Sequence, residues 1–159
     1  MHDVDANGIN AFGNLNATIK LNYAAAGAGI VFSAGEGSVI NNVVSGTLEG
    51  MGIQGTPSSV SGNTVENSPV GIRIGTTAPV KLNKIVNSST YGIQLFTNGV
   101  TVQSNTITKS ASAIRFSCNS GTVSSNTIND AAIGLDNVPT GLVAPNTFLS
   151  VATVRTGGC

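Results

Sequence analysis

The chain has 159 residues with seven Lys and Arg against seven Asp and Glu, so its formal net charge is zero, and only 9% of its residues are charged. That balance offers no basic footprint to a nucleic acid, and no stretch approaches the roughly 18 consecutive apolar residues of a membrane-spanning helix. Aromatics make up 4% and Trp is absent, which points to a narrow interior of stacked Val and Ile rather than a core built on large rings.

Met1-His2-Asp3 does not open a signal peptide, which would pair a basic end with an apolar middle. Asp3, Asp5, Asn7 and Gly8 alternate as the oxygens and turn of a calcium loop do, but the closing position, where a bidentate acid belongs, is Asn14. This end is therefore read as a solvated edge without a metal. His2, the single histidine, is assigned no catalytic role there. The first repeat starts partway through, near Gly8-Ile9, as expected of a piece of a longer chain. No linker interrupts the sequence, and residues 1–159 are read as one domain.

From here on a spacing governs the chain. Asn22, Asn42, Asn63, Asn83, Asn105, Asn126 and Asn146 recur at intervals of 20, 21, 20, 22, 21 and 20. Three residues before each stands a β-branched aliphatic: Ile19, Val39, Val60, Val80, Val102, Val123 and Val143. Two residues after each comes a second apolar column, Ala24, Val44, Val65, Ile85, Ile107, Ile128 and Phe148. A third is read as Ile9, Ile30, Ile53, Ile72, Ile93, Ile114 and Ile133, followed two residues on by Phe32, Ile74, Leu95, Phe116 or Leu135. Three apolar columns per period describe a three-sided coil.

Each unit then reads as a short strand, a corner at the Asn, a second strand, a variable loop and a third strand. The five prolines, Pro57, Pro69, Pro79, Pro139 and Pro145, fall in or beside turns, where a missing amide donor costs least. A near-constant period sets every strand about 4.8 Å from its counterpart one coil away, in parallel. Asn suits the corner because it tolerates left-handed dihedrals and its amide can bond to identical amides on both sides. Four residues further on, Asn67 and Asn87 form a partial second ladder, continued by Lys109 and Asp130.

Cys118 and Cys159 lie about two periods apart. Rungs two apart differ by about 9.6 Å and bridged Cα atoms by at most about 7 Å, so a disulfide requires the Gly157-Gly158 tail to fold back. The sequence leaves a bridge and two separate thiols both open, and the spacing fits no zinc pattern.

The units Ser-Gly-Asn63-Thr-Val65-Glu-Asn67, Gln-Ser-Asn105-Thr-Ile107 and Ser-Ser-Asn126-Thr-Ile128-Asn129, each followed by a segment like Gly71-Ile72-Arg73-Ile74, resemble the parallel β-helix repeat of the pectin-lyase-like superfamily. The resemblance covers nearly the whole chain. It implies an all-β fold, a right-handed parallel β-helix of about seven coils, of the kind found in secreted or surface proteins that bind or cleave polysaccharides, in phage tail proteins and in adhesins. Leucine-rich repeats share the period and an Asn ladder but need Leu at framework positions and a helical return arm. Hexapeptide helices are excluded by the period.

On the strands of the Ile column, alternation turns the residue after each Ile outward, giving a strip of Val31, Gln54, Arg73, Gln94, Arg115 and Gly134. Two residues on, Gly75, Phe96, Ser117 and Asp136 also point out. Stacked guanidinium and amide groups beside an exposed ring suit a glycan, since Arg grips carboxylates, amides bridge hydroxyls and an aromatic face stacks on a sugar. The competing reading is polar side chains that merely cover strands facing water. Loops at Gly35-Glu36-Gly37 and Thr56-Pro57-Ser58 are candidates to border a groove.

Catalysis finds less support. A glycoside hydrolase needs two carboxyl groups about 5 to 9.5 Å apart, and of the seven acids only Asp130 and Asp136 share a rung. Polygalacturonase-like relatives carry Asn-Thr-Asp, a paired Asp-Asp and Gly-His-Gly, whereas this chain has Asn-Thr-Val or Asn-Thr-Ile. Pectate-lyase-like relatives gather several acidic calcium ligands and an Arg, and Arg115 near Asp136 is the nearest approach.

The sequence is thus read as a non-catalytic extracellular or cell-surface recognition module for carbohydrate, with no cofactor and with Gln54, Arg73, Gln94, Phe96, Arg115 and Asp136 as its site. Alternatives are a polysaccharide lyase, hydrolase or epimerase, and a structural stalk that self-associates through open solenoid ends.

Overall fold

The computed structural model describes residues 8–25, 27–117, 120–139 and 144–158. The calcium-like residues Asp3, Asp5 and Asn7, together with His2, Val143, Cys118 and Cys159, lie outside the described residues.

Among the described residues fifteen strands form one continuous parallel sheet wound into about seven turns. In chain order they are β1 (Ile9–Lys20), β2 (Tyr23–Ala25), β3 (Ile30–Ile40), β4 (Val43–Ser45), β5 (Met51–Ile53), β6 (Ser59–Ser61), β7 (Thr64–Glu66) and β8 (Val70–Ile74). There follow β9 (Val80–Lys81), β10 (Lys84–Leu95), β11 (Val100–Gln103), β12 (Thr106–Phe116), β13 (Gly121–Ser124), β14 (Thr127–Val138) and β15 (Thr147–Gly157).

Register divides them into three faces. One stacks Ile19, Val39, Val60, Val80, Val102 and Val123. The second stacks Val44, Val65, Ile85, Ile107, Ile128 and Phe148. On the third lie Ile9, Ile30, Met51, Ile72, Ile93, Ile114 and Leu135. These columns meet inside as one apolar core, fully buried from Ile30 to Ile128, and each such side chain contributes about 1.5 to 3 kcal/mol by leaving water.

The corner between the first two faces is closed by the asparagines. Asn63 is typical: its backbone N–H and Nδ2 both donate to Asn83 Oδ1, at 2.9 and 3.0 Å, and Nδ2 also donates to the Val39 carbonyl at 2.9 Å. The same bonds link Asn42, Asn83, Asn105 and Asn126 to the next coil. The left-handed dihedral expected at the ladder Asn belongs instead to the residue before it: Leu21, Asn41, Gly62, Leu82, Ser104 and Ser125 have φ between 54° and 66°. The turn is made one residue early, which leaves the Asn amide aimed into the corner.

The loop expected between the second and third strands is missing in four coils. β10, β12, β14 and β15 run straight through both faces and bend at Asn87, Lys109, Asp130 and Ser150, each with φ between 51° and 58°. A single left-handed residue turns a strand without breaking its ladder, so the bend needs no loop. Asn87 Nδ2 donates to Asn67 Oδ1 at 2.8 Å, which makes the partial second ladder an exposed one.

Two members of the third column differ from expectation. Met51, not Ile53, pairs with Ile30 and Ile72, while Ile53 pairs with Phe32 and Ile74. Leu135, not Ile133, pairs with Ile114, and Ile133 stands beside Ser112. A slip of two residues keeps every side chain on the same side of a strand, so alternation cannot detect it. The register is marked instead by Gly8, Gly29, Gly50, Gly71, Gly92, Ala113 and Gly134, which recur every 21 residues just before the column. At Gly29 φ is +73° and an added Cβ would fall 1.9 Å from the Gly50 carbonyl oxygen, so a side chain there is excluded.

Candidate functional site

Correct register redraws the outward strip of the third face. Its first row is Val31, Gly52, Arg73, Gln94, Arg115 and Asp136, closed at the last coil by Thr156. Gln54 therefore does not precede Arg73 in that row, and Gly134 is not part of it. Gln54 stands in the neighbouring row, whose backbone bonds place Gln54, Gly75, Phe96 and Ser117 on successive coils. Asp136, expected in that second row, stands directly beside Arg115 in the first. The cause is the same two-residue slip at coils three and seven.

The two arginines are held alike. Arg73 Nη1 lies 3.2 Å from Glu49 Oε1, and its guanidinium sits 5.7 Å from the Phe96 ring centre. Arg115 Nη1 lies 2.9 Å from Asp136 Oδ2, with the Tyr91 ring centre at 5.1 Å. Thr156 Oγ1 donates to the other Asp136 oxygen at 2.8 Å. The exposed Arg73 pair is worth at most about 1 kcal/mol, while the half-buried Arg115 pair is fixed on both carboxylate oxygens. Between them Gln94 is only 8% exposed, and its Oε1, like Arg73 Nε, is buried without a hydrogen-bond partner.

Beside these groups the surface sinks into a depression of about 490 Å³ lined by Val31, Glu49, Gly52, Ile53, Gln54, Arg73, Gly75 and Phe96. Gly52 and Gly75 give it a floor without side chains. Of the residues singled out from sequence, Gln54, Arg73 and Phe96 line it and Gln94 and Arg115 continue the row above, whereas Asp136 lies three coils from Arg73. Glu49, Tyr91, Thr156 and Phe12 are not marked by the sequence pattern. Phe12 pairs with Ser33 and so opens the very row that holds Gln54 and Phe96, with 62% of its surface exposed. In a chain with five Phe, an outward one is the signal that could have found it.

Of the two segments expected as loops, Gly35-Glu36-Gly37 lies instead within β3, because its backbone stays paired with β1, and it borders a hollow together with the Thr56-Pro57-Ser58 connection. Ser58 donates through N–H and Oγ to the Gly37 carbonyl, and Thr18, Glu36, Gly37, Ser38, Thr56 and Ser58 line a second space of about 490 Å³. None of these lining residues carries a buried unpaired polar atom. Among the described residues no three His, Cys, Asp or Glu side chains gather where they could hold a metal ion.

A solenoid of three parallel faces, an asparagine ladder at one corner and polar rows on another define a parallel β-helix protein of the pectin-lyase-like fold. The chain belongs to the NosD family, described as periplasmic copper-binding protein, whose model matches residues 2–157. No curated protein and no solved structure matches it. The family places an extracytoplasmic β-helix module behind the fold.

Proposed function

We propose that this chain is a non-catalytic β-helix module that binds polysaccharide on its third face, outside the cytoplasmic membrane. One observation carries the reading: Arg73, Gln94 and Arg115 stand in register beside the exposed Phe96 ring and the glycine-floored depression. Guanidinium and amide donors at one coil spacing meet the hydroxyls of a chain polymer, and the ring edge offers a stacking surface. The periplasmic description of the family supports the location.

The acids favour binding over cleavage. Asp136 is engaged by Arg115 and Thr156, and Glu49 by Arg73. Arg73, which holds Glu49, stands three rungs from Asp136, about 14 Å at the spacing of parallel strands. Two carboxyl groups across one glycosidic bond must approach to about 5 to 9.5 Å.

Copper, named in the family's description, does not fit the described residues. Copper selects thiolate, thioether and imidazole donors, and the one such side chain among them is Met51, fully buried in the core. A single thioether enclosed by aliphatic neighbours cannot assemble a coordination sphere.

The test is incubation with a panel of neutral and uronate polysaccharides, with and without calcium, scoring retention of the protein and the appearance of new chain ends. Retention without new ends is expected, and Arg73→Ala and Arg115→Ala should each weaken it about tenfold, the cost of a charge-assisted hydrogen bond. New ends would make the protein an enzyme, and the absence of both signals would leave the structural stalk.

A further inference from the structure

We infer that the ligand of the third face is an uncharged polysaccharide, laid parallel to the solenoid axis along the trough between Phe12 and Phe96. This rests on the glycan-binding reading above and narrows its substrate class.

Charge is the first ground. Along the outward rows Arg73 meets the Glu49 carboxylate and Arg115 meets that of Asp136, while Arg155 at the last coil donates to the Pro139 carbonyl. A uronate approaching Arg73 meets Glu49 on Nη1, and one approaching Arg115 meets Asp136, which Thr156 also holds. Each would set a second anion beside a guanidinium that is already paired, and repulsion between the two carboxylates offsets the attraction. Hydroxyl groups meet no such opposition, because they can share the remaining guanidinium N–H groups without breaking the ion pairs.

Shape is the second ground. Phe12 begins the outer row and Phe96 stands four coils on, about 19 Å away at the spacing of parallel strands. Both rings are exposed, by 62% and 47%. The coils between them place Ser33, Gln54 and Gly75 in the row and Gly52 beside it, so of these four only the exposed Gln54 raises a long side chain, an amide that a sugar hydroxyl can meet. Arg73 covers one side of the Phe96 ring, which leaves the rest of the ring to a sugar. A pyranose unit is close to one coil in length, so a strand touching both rings spans about five units.

The experiment is a calorimetric titration of the full chain with neutral β-1,4-linked gluco- and manno-oligosaccharides of increasing length, and with oligogalacturonates of matched length, at low and high salt. Neutral oligosaccharides should bind, with a rise of about tenfold or more as length passes about five units and a change of less than about twofold with salt. Phe12→Ala should abolish the gain with length while leaving binding of the shortest ligands intact. Because Phe12 lies outside the core, the variant's circular dichroism should match that of the parent protein. Tighter binding of oligogalacturonates that falls with salt would overturn the inference while keeping the glycan reading. Neutral binding that ignores both length and Phe12 would overturn the trough, and no binding by either class would overturn the inference and the glycan reading together.

Discussion

The asparagine corner and the arginine row are built by the same device, one polar residue per coil repeated along the axis, yet they end differently. At the corner every amide from Asn42 to Asn126 is paired on both sides, and none of these side chains carries a buried unpaired atom. On the row Gln94 Oε1 and Arg73 Nε are buried and unpaired, although two ion pairs stand beside them. A repeat that satisfies itself is architecture. A repeat interrupted by Gly52, Gln94 and Asp136 gives up self-pairing, and a buried polar group left without a partner costs about 1 to 3 kcal/mol.

Breaking the corner gives the largest expected effect. Asn105 accepts from both Asn83 N–H and Nδ2 and donates to the Val80 carbonyl and Asn126 Oδ1. Asn105→Ala strands several of these groups in a dry interior, so unfolding in urea should show a loss of about 3 kcal/mol. Asn22, half-buried at the first coil, donates to Lys20 and Asn42, and water can replace those bonds. Asn22→Ala should cost less than about 1 kcal/mol. Equal losses at the two positions would mean that the ladder is stabilised by something other than satisfaction of buried amides.

The corner also carries its own strain, which the second prediction addresses. Leu82 has φ of 57° and is largely exposed, while Asn41 and Gly62 occupy the same place on earlier coils. A left-handed Leu costs about 1 to 2 kcal/mol, and Asn visits that region readily. Leu82→Asn should therefore raise stability by about 0.5 to 1 kcal/mol, visible as a higher Tm. No gain would show that contacts at the corner hold Leu82 in place despite its backbone.

How much of this is legible in the sequence follows from which residues repeat for physical reasons. The Asn interval, the Val column before it and the aliphatic after it are forced by stacking, so they stand out and they fix the fold. The pattern of the third face places two coils two residues out of register, because Met51 and Ile53 both face inward and a slip of two leaves alternation intact. Glycine at six of the seven positions spaced by 21 residues carries the true register, since at Gly29 and Gly50 the backbone of the next coil leaves no room for a Cβ, and the small Ala113 fills the remaining position. Arg73, Gln94 and Phe96 are visible as outward residues, but Glu49, Tyr91 and Thr156 are not. Their roles come from contacts between coils that no single strand's pattern contains.

The smallest effect separates the two regions most sharply. Gln94 is buried between Arg73 and Arg115, whose side chains are each about a third exposed, and its oxygen has no donor. If the row were only a cover for the sheet, an apolar side chain of similar shape would serve better there, since replacing an unsatisfied buried amide is neutral or stabilising. Gln94→Met should thus leave stability unchanged or raise it by up to about 1 kcal/mol, in contrast to the loss at Asn105. Glycan retention should fall in the same variant, because Met cannot supply the amide N–H groups that Gln94 sets in register between Arg73 and Arg115. A stabilised variant with full retention would assign Gln94 to neither architecture nor binding, and the row would then rest on its arginines and rings alone.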